Sequence, residues 1–321
     1  LPKNFPKHRC GKELVMAVAL KQKKLVVGGA KSDVVFDLII KLIVIFTGLA
    51  TFYPLYYVII SSISDGIPVD IGAVILYPMD ADRNFGANLA SFENVLSVEM
   101  FWISFANTFF YTIVGTAYSM LITTTAAYAL SRNQFKIRKP LNLAISFTLW
   151  FNAGFIPLYL NYKDLGVIDD RWGLIVSFGV QAFFVILMRN YFEAVPRELE
   201  EAARIDGANE FRIFTGVYLP LAGPALVTIA IYYAVGRWNA FFWSMVLLRQ
   251  QELIPLQVYL RQMIIEEQLM LDNQATIAGQ LYSFTTLKYA LIVCSMIPII
   301  IVFPMIQRYF SKGVMLGGVK E

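Results

Sequence analysis

The side chains best suited to catalysis are few and scattered. The single histidine, His8, lies in a basic leader with no carboxylate or thiol beside it and reads as a solvated residue. Cys10 and Cys294 sit near opposite ends of the chain, one in that leader and one in an apolar run, so they build neither a disulfide framework nor a metal cluster. Gly28-Gly29-Ala30-Lys31-Ser32 faintly echoes a phosphate loop, but the spacing of its glycines is wrong and no strand precedes it. The sequence therefore predicts no catalytic residue, no metal site and no cofactor held by this chain.

Polar chemistry of another kind stands inside the apolar stretches. Arg237, Trp238 and Asn239 are consecutive within one of them, and Asn107 and Asn152 lie in two others. An arginine near mid-bilayer costs at least about 2.5–3.5 kcal/mol on insertion scales, so Arg237 is expected to face protein or a wet cavity. Trp238 and Asn239 suit a sugar, the indole covering the C–H face of a pyranose and the amide bonding its hydroxyls. All five are candidates for a substrate path, and for Asn107, Asn152, Trp238 and Asn239 the alternative is a hydrogen-bonding link between helices.

A second kind of site is a polar segment, Pro196-Arg197-Glu198-Leu199-Glu200-Glu201-Ala202-Ala203-Arg204-Ile205-Asp206-Gly207. Proline suits the first turn of a helix. Glu198, Glu200 and Glu201 favour the positive helix end, and Gly207 can take the left-handed conformation that stops it. Asn209 is placed to cap a second short helix, about 210–217, before Leu219-Pro220. Ala202 and Ala203 would give a low-relief surface on which another protein can close, with Glu201 offering a charge to an opposing arginine. A side chain at Gly207 is expected to cost roughly 1 kcal/mol and to push the two helices apart. The plain alternative is a solvated linker that binds nothing.

These sites need elements to hold them, and the composition says which. Hydrophobic residues make up 57% of the 321-residue chain and charged residues 16%, against about 25% charged in soluble proteins. Such a chain is an integral membrane protein. Crossing the hydrocarbon core takes about 20 apolar residues in a helix, and six stretches qualify, near 38–60, 100–130, 140–162, 172–192, 220–248 and 284–309. Lys and Arg then set the orientation. Twenty fall in 1–41, 131–139, 189–219 and the tail, against five, Arg83, Lys163, Arg171, Arg249 and Arg261, on the other side. Both termini are expected in the cytoplasm. The predicted organisation is a basic leader at 1–37, a first transmembrane helix at 38–60, an extracytoplasmic loop at 61–99, a core at 100–309 containing the loop 193–220, and a cytoplasmic tail at 310–321. The chain opens on Leu1, and Met16 is a candidate start that would leave residues 1–15 outside the native protein.

Glu201-Ala202-Ala203, three residues, Gly207, nine residues, Val217, one residue and Leu219-Pro220 resembles the signature of ABC-importer permeases, with valine where isoleucine is usual. Further segments resemble the carbohydrate-uptake permeases of the MalG type, Lpl-like branch. Among them are Tyr53-Pro54-Leu55, Ser61 to Asp65, Asn107-Thr108, Ala126 to Arg132, Gly154 to Tyr159, Lys163 to Gly166, Trp238-Asn239 and Lys312 to Met315. The likeness covers about 38–319, and the longer leader departs from it. It implies an all-α, MetI-like permease fold in the bacterial cytoplasmic (inner) membrane, crossing it several times. It also implies that the 196–220 loop couples to an ATPase, through Glu201, Ala202, Ala203, Asp206, Gly207, Leu219 and Pro220. The expected partners are a second MalF-like permease, an ATPase dimer, an extracytoplasmic solute-binding protein, membrane lipid and an oligosaccharide substrate, with no nucleic acid. A non-sugar solute is the nearest alternative. A secondary transporter would need inverted repeats or paired ionisable residues at mid-membrane, and neither is visible.

Overall fold

The computed structural model describes residues 31–272 and 283–317. The readings made for His8, Cys10, Met16, the 28–30 glycine segment and the end of the tail lie outside the described residues. Among those described, every regular element is helical apart from one antiparallel bridge between Met79 and Phe85. The chain divides into two units, 1–56 and 57–321. The boundary falls within α1 (Lys31–Ser62), which supplies the described residues of the first unit and whose residues 35–62 are apolar and long enough to cross a bilayer.

The second unit begins with α2 (Gly66–Asp70) and α3 (Ala90–Ser97), followed by α4 (Glu99–Ser131). Next come α5 (Arg138–Trp150), α6 (Phe155–Asp164), α7 (Arg171–Ser177) and α8 (Ala182–Glu193). The loop after α8 contributes α9 (Arg197–Ile205) and α10 (Glu210–Ile213), which run through a π turn into the short α11 (Leu219–Leu221). The remainder is α12 (Gly223–Trp238), α13 (Phe242–Leu247), α14 (Leu256–Asp272) and α15 (Phe284–Gly317). The helix α15 absorbs the start of the tail expected from residue 310.

Three helices are long and apolar enough to cross a membrane, α1, α4 and α15, and the number rises to five if each of two bent pairs counts as one span. The sequence expectation of six continuous spans needs correcting in three places. The 172–192 stretch is bent by 55° between α7 and α8. The 140–162 stretch is cut into α5 and α6, because Asn152 Oδ1 accepts the Gly154 N–H at 2.9 Å and Gly154 turns to φ +86°. The 220–248 stretch falls into α11, α12 and α13, with Pro220 and Pro224 at the starts of the first two, where a missing N–H costs least. Hydropathy alone does not register such breaks.

The helix α4 is the spine of the second unit. Its buried residues recur every three or four positions: Ser104, Thr108, Tyr111, Gly115, Ser119, Thr123, Ala127 and Leu130. Small side chains along that stripe let α8 and α12 approach closely, as helices do in lipid where packing replaces hydrophobic exclusion. The 61–99 segment is not a free loop. Ser91 is buried and donates to Thr286 Oγ1 of α15 at 2.9 Å, and Asp65 accepts from Ala81 N–H at 2.8 Å and from the Asn88 amide at 2.5 Å.

Candidate functional site

The loop after α8 folds as its capping residues dictate. Pro196 immediately precedes α9, and Glu198 and Glu200 occupy its first turn. Gly207 stands at φ +77°. Its N–H donates to Arg204 O at 3.0 Å and the Ala208 N–H donates to Ala203 O at 2.9 Å, the two bonds of a Schellman stop. Asn209 then accepts from the Arg212 N–H at 2.8 Å and starts α10. That second helix is shorter than expected. From Phe214 the backbone widens into a π turn that reaches Tyr218, two residues before Pro220, which has no N–H to continue α-helical bonding.

The two faces of this helix pair differ. Leu199, Ile205 and Phe211 are exposed at 45%, 86% and 73%, beside the exposed Glu201, Ala202 and Asp206. Ala203 and Ala208 pack inward against the core formed by Phe192, Ile213, Tyr218 and Ala222, and Val217 and Leu219 join them there. Of the alanine pair, then, only Ala202 presents the flat outer surface expected of both. The steric expectation for Gly207 also changes: a Cβ there would meet nothing within 4 Å, so its requirement for glycine is a backbone one.

Behind the loop lies an ion-pair cluster that the sequence reading passed over. Arg132, one residue past α4, grips both carboxylate oxygens of Glu200 through its two terminal nitrogens. Tyr218 Oη donates to Glu200 Oε2 at 2.9 Å and lies 2.6 Å from Arg132 Nη1, and Arg204 Nε donates to Glu200 Oε1 at 3.2 Å. Arg204 also pairs with Glu210, whose other oxygen accepts from Tyr128 Oη at 2.8 Å. The guanidinium of Arg132 sits 5.3 Å from the ring centres of both Tyr128 and Tyr218. The Glu200 and Arg132 side chains are only 12% and 10% exposed. Arg132's hydrogen bond, helped by those from Tyr218 and Arg204, outweighs burial and holds the Glu200 carboxyl at about 2 rather than 4.5. One carboxylate thus ties the end of α4, the loop helix α9 and the entrance to α12 together. A sequence signal did exist: Glu200 lies three residues before the inward-facing Ala203, on the same side of the helix.

The structure does not gather the five polar membrane residues into one site. Asn107 is buried and spends both amide hydrogens on the carbonyls of Glu252 and Ile254, at 2.8 and 3.1 Å. Asn152 is exposed in the turn between α5 and α6. Trp238 is buried edge-on against Phe105 and Phe109, its indole N–H without an acceptor among the described residues. Asn239 is exposed and donates to Val235 O at 3.0 Å. Arg237 lies against Gly115 and reaches Ser119 Oγ at 2.9 Å and the carbonyls of Phe178 and Ile175 at 3.0 and 3.3 Å. One turn earlier, Tyr233 Oη accepts from the Gln181 N–H at 3.2 Å and shares a 2.8 Å bond with Thr123. The carbonyls freed at the end of α7 and the N–H freed at the start of α8 are therefore both satisfied from α12, which is how a broken helix survives in lipid.

Several helices apolar enough to cross a membrane, with a helix pair clamped from one side and exposing Leu199, Ile205 and Phe211 on the other, fit a multi-pass membrane protein. Residues 28–316 match the family of binding-protein-dependent transport system inner membrane components, and the chain belongs to that family. It is 35% identical over 286 residues to the polygalacturonan/rhamnogalacturonan transport system permease protein YtcP of Bacillus subtilis, covering 89% of this chain and 98% of that protein. It is 35% identical over 290 residues to protein LplC of the same organism, covering 90% and 96%. Among solved structures, a bacterial ABC transporter involved in the import of the acidic polysaccharide alginate contains a chain that is 42% identical. That match covers 88% of this chain and 99% of that one, with a TM-score of 0.80. The chain is an inner-membrane permease subunit of an ABC importer, a transport component rather than an enzyme.

Proposed function

We propose that this permease carries an oligosaccharide containing uronic acid units, and that ATP hydrolysis on a separate ATPase dimer enters it through α9 and α10. Two of its similar proteins handle acidic polymers, polygalacturonan and alginate. Arg237 adds support from within, a cation inside the spans whose hydrogen bonds, among the described residues, go to a hydroxyl and two carbonyls that carry no opposite charge. The observation that carries the coupling reading is the exposed surface of Leu199, Ile205 and Phe211, set beside Glu201 and braced from behind by Glu200.

In this reading Glu201, Ala202, Asp206 and Gly207 shape the face that meets the ATPase, while Ala203, Leu219 and Pro220 seat the loop on the permease. A second permease subunit completes the pathway, a solute-binding protein delivers the sugar from outside, and both termini of this chain lie in the cytoplasm. Trp238 and Asn239 are the candidates for sugar contact, whereas Asn107, Asn152 and Arg237 hold turns and helices. The test is ATP hydrolysis by the reconstituted complex, stimulated by its binding protein loaded from a panel of sugars. Oligogalacturonate or oligoalginate should stimulate. Stimulation by neutral oligosaccharides alone would overturn the acidic assignment, and stimulation only by amino acids or peptides would overturn the sugar.

A further inference from the structure

Adjacent glutamates in α9 stand in opposite environments. Glu201 is exposed, with no ion-pair partner among the described residues, while Glu200 is buried under Arg132, Tyr218 and Arg204. We infer that the two divide the work of coupling: Glu201 belongs to the docking face, and Glu200, through Arg132, is the positioning residue that passes the loop's displacement to α4. This rests on the coupling role proposed for the loop.

The physical case is one of stiffness. A loop pulled by another subunit transmits force only through contacts that do not yield. The main chain from α9 back to α8 turns at Val195-Pro196, and from α9 forward it turns at Gly207. Neither turn leads to α4, which precedes the loop by more than sixty residues of sequence. The side-chain route is direct. A planar guanidinium on a carboxylate is a two-point contact that resists rotation as well as separation, and both groups are largely shielded from competing water. Tyr218 bonds to both partners and fixes the pair to the entrance of α12. The helix α4 is in turn the element against which α8 and α12 pack. Displacement of α9 must therefore carry α4 with it or break a buried ion pair.

The experiment uses the full importer with Glu200→Gln, Arg132→Gln, the double variant, and Glu201→Lys for comparison, reading ATPase retention and sugar taken up per ATP hydrolysed. Glu200→Gln and Arg132→Gln should retain the ATPase subunit while uptake per ATP falls about tenfold, within the range for residues that carry coupling. The double variant should be no worse than the poorer single one, because both changes remove the same link. Losses that multiply in the double variant, or wild-type coupling in either single one, would overturn the inference. So would loss of the ATPase in Glu200→Gln, which would make Glu200 a docking residue. If Glu200→Gln does not insert and pair with the second permease, Glu200→Asp carries the test, keeping the charge but shortening the reach by one methylene. It should lower uptake per ATP several-fold, and a wild-type ratio would overturn the inference. Glu201→Lys separates the two levels: full ATPase retention and uptake there would mean that the loop is not the coupling site at all.

Discussion

Gly207 allows the loop proposed to couple to the ATPase to be damaged without touching anything around it. Its φ of +77° costs glycine nothing, whereas other residues pay about 1–2 kcal/mol in the left-handed region, asparagine least and β-branched residues most. No atom lies within 4 Å of a Cβ built at this position, so the penalty is a backbone one and is not confused with crowding. Relieving it by unwinding would sacrifice the bonds from Gly207 N–H to Arg204 O and from Ala208 N–H to Ala203 O, at about 1 kcal/mol each. A cost near 2 kcal/mol would lower the docking-competent form of the loop, and with it the apparent affinity for the ATPase, by up to roughly thirtyfold. The assay is titration of the ATPase subunit onto the permease pair in nanodiscs. Gly207→Asn should bind nearly as wild type, Gly207→Ala several-fold more weakly and Gly207→Val most weakly, all three inserting normally. Wild-type affinity in Gly207→Val, or equal damage from Asn and Val, would refute the backbone explanation.

With Cys10 and Cys294 replaced by serine, cysteines at the exposed Asp82 and Gln251 should label with impermeant reagent in intact cells, and one at Asn133 should not; the reverse pattern would invert the topology. The depressed Glu200 carboxyl contributes stability that is fully present above its unfolded value of 4.5 and is lost as pH falls through about 2. Glu200→Gln should therefore melt below the wild type by the same margin from pH 8 to 5, and the margin should shrink only below about pH 4.5; a margin that changes between pH 6 and 8 would contradict the clamp. Trp238→Ala and Asn239→Ala should impair uptake while leaving assembly and basal ATP hydrolysis intact, and a complex that falls apart would make these residues structural.

The parts of the loop legible in the sequence are those governed by local rules. Pro196, Gly207 and Asn209 mark a start, a stop and a second start whatever surrounds them, and the backbone follows each. The breaks in the spans were illegible because hydropathy is an average over a window, and the groups that make a break tolerable come from elsewhere. Arg237 and Tyr233 of α12 satisfy the ends of α7 and α8 from 52 to 62 residues away in sequence. The two glutamates failed for a related reason. Glu200 and Glu201 are identical in type, and only the rotation of α9 against Arg132 and Tyr218 decides which is buried. The family signature drew attention to the outward one. A buried carboxylate must have a partner, and that partner is Arg132, which the sequence shows only as an orienting charge at the end of a family-like segment, with nothing to link it to Glu200.

The proposed role of this chain in an ATP-driven sugar importer is tested by uptake of labelled oligogalacturonate into proteoliposomes holding this chain, its partner permease and the ATPase, with binding protein and sugar on one face and ATP on the other. Accumulation should require ATP, the binding protein and both permease chains together. Accumulation by this chain alone, driven by an ion gradient without ATP, would contradict the account.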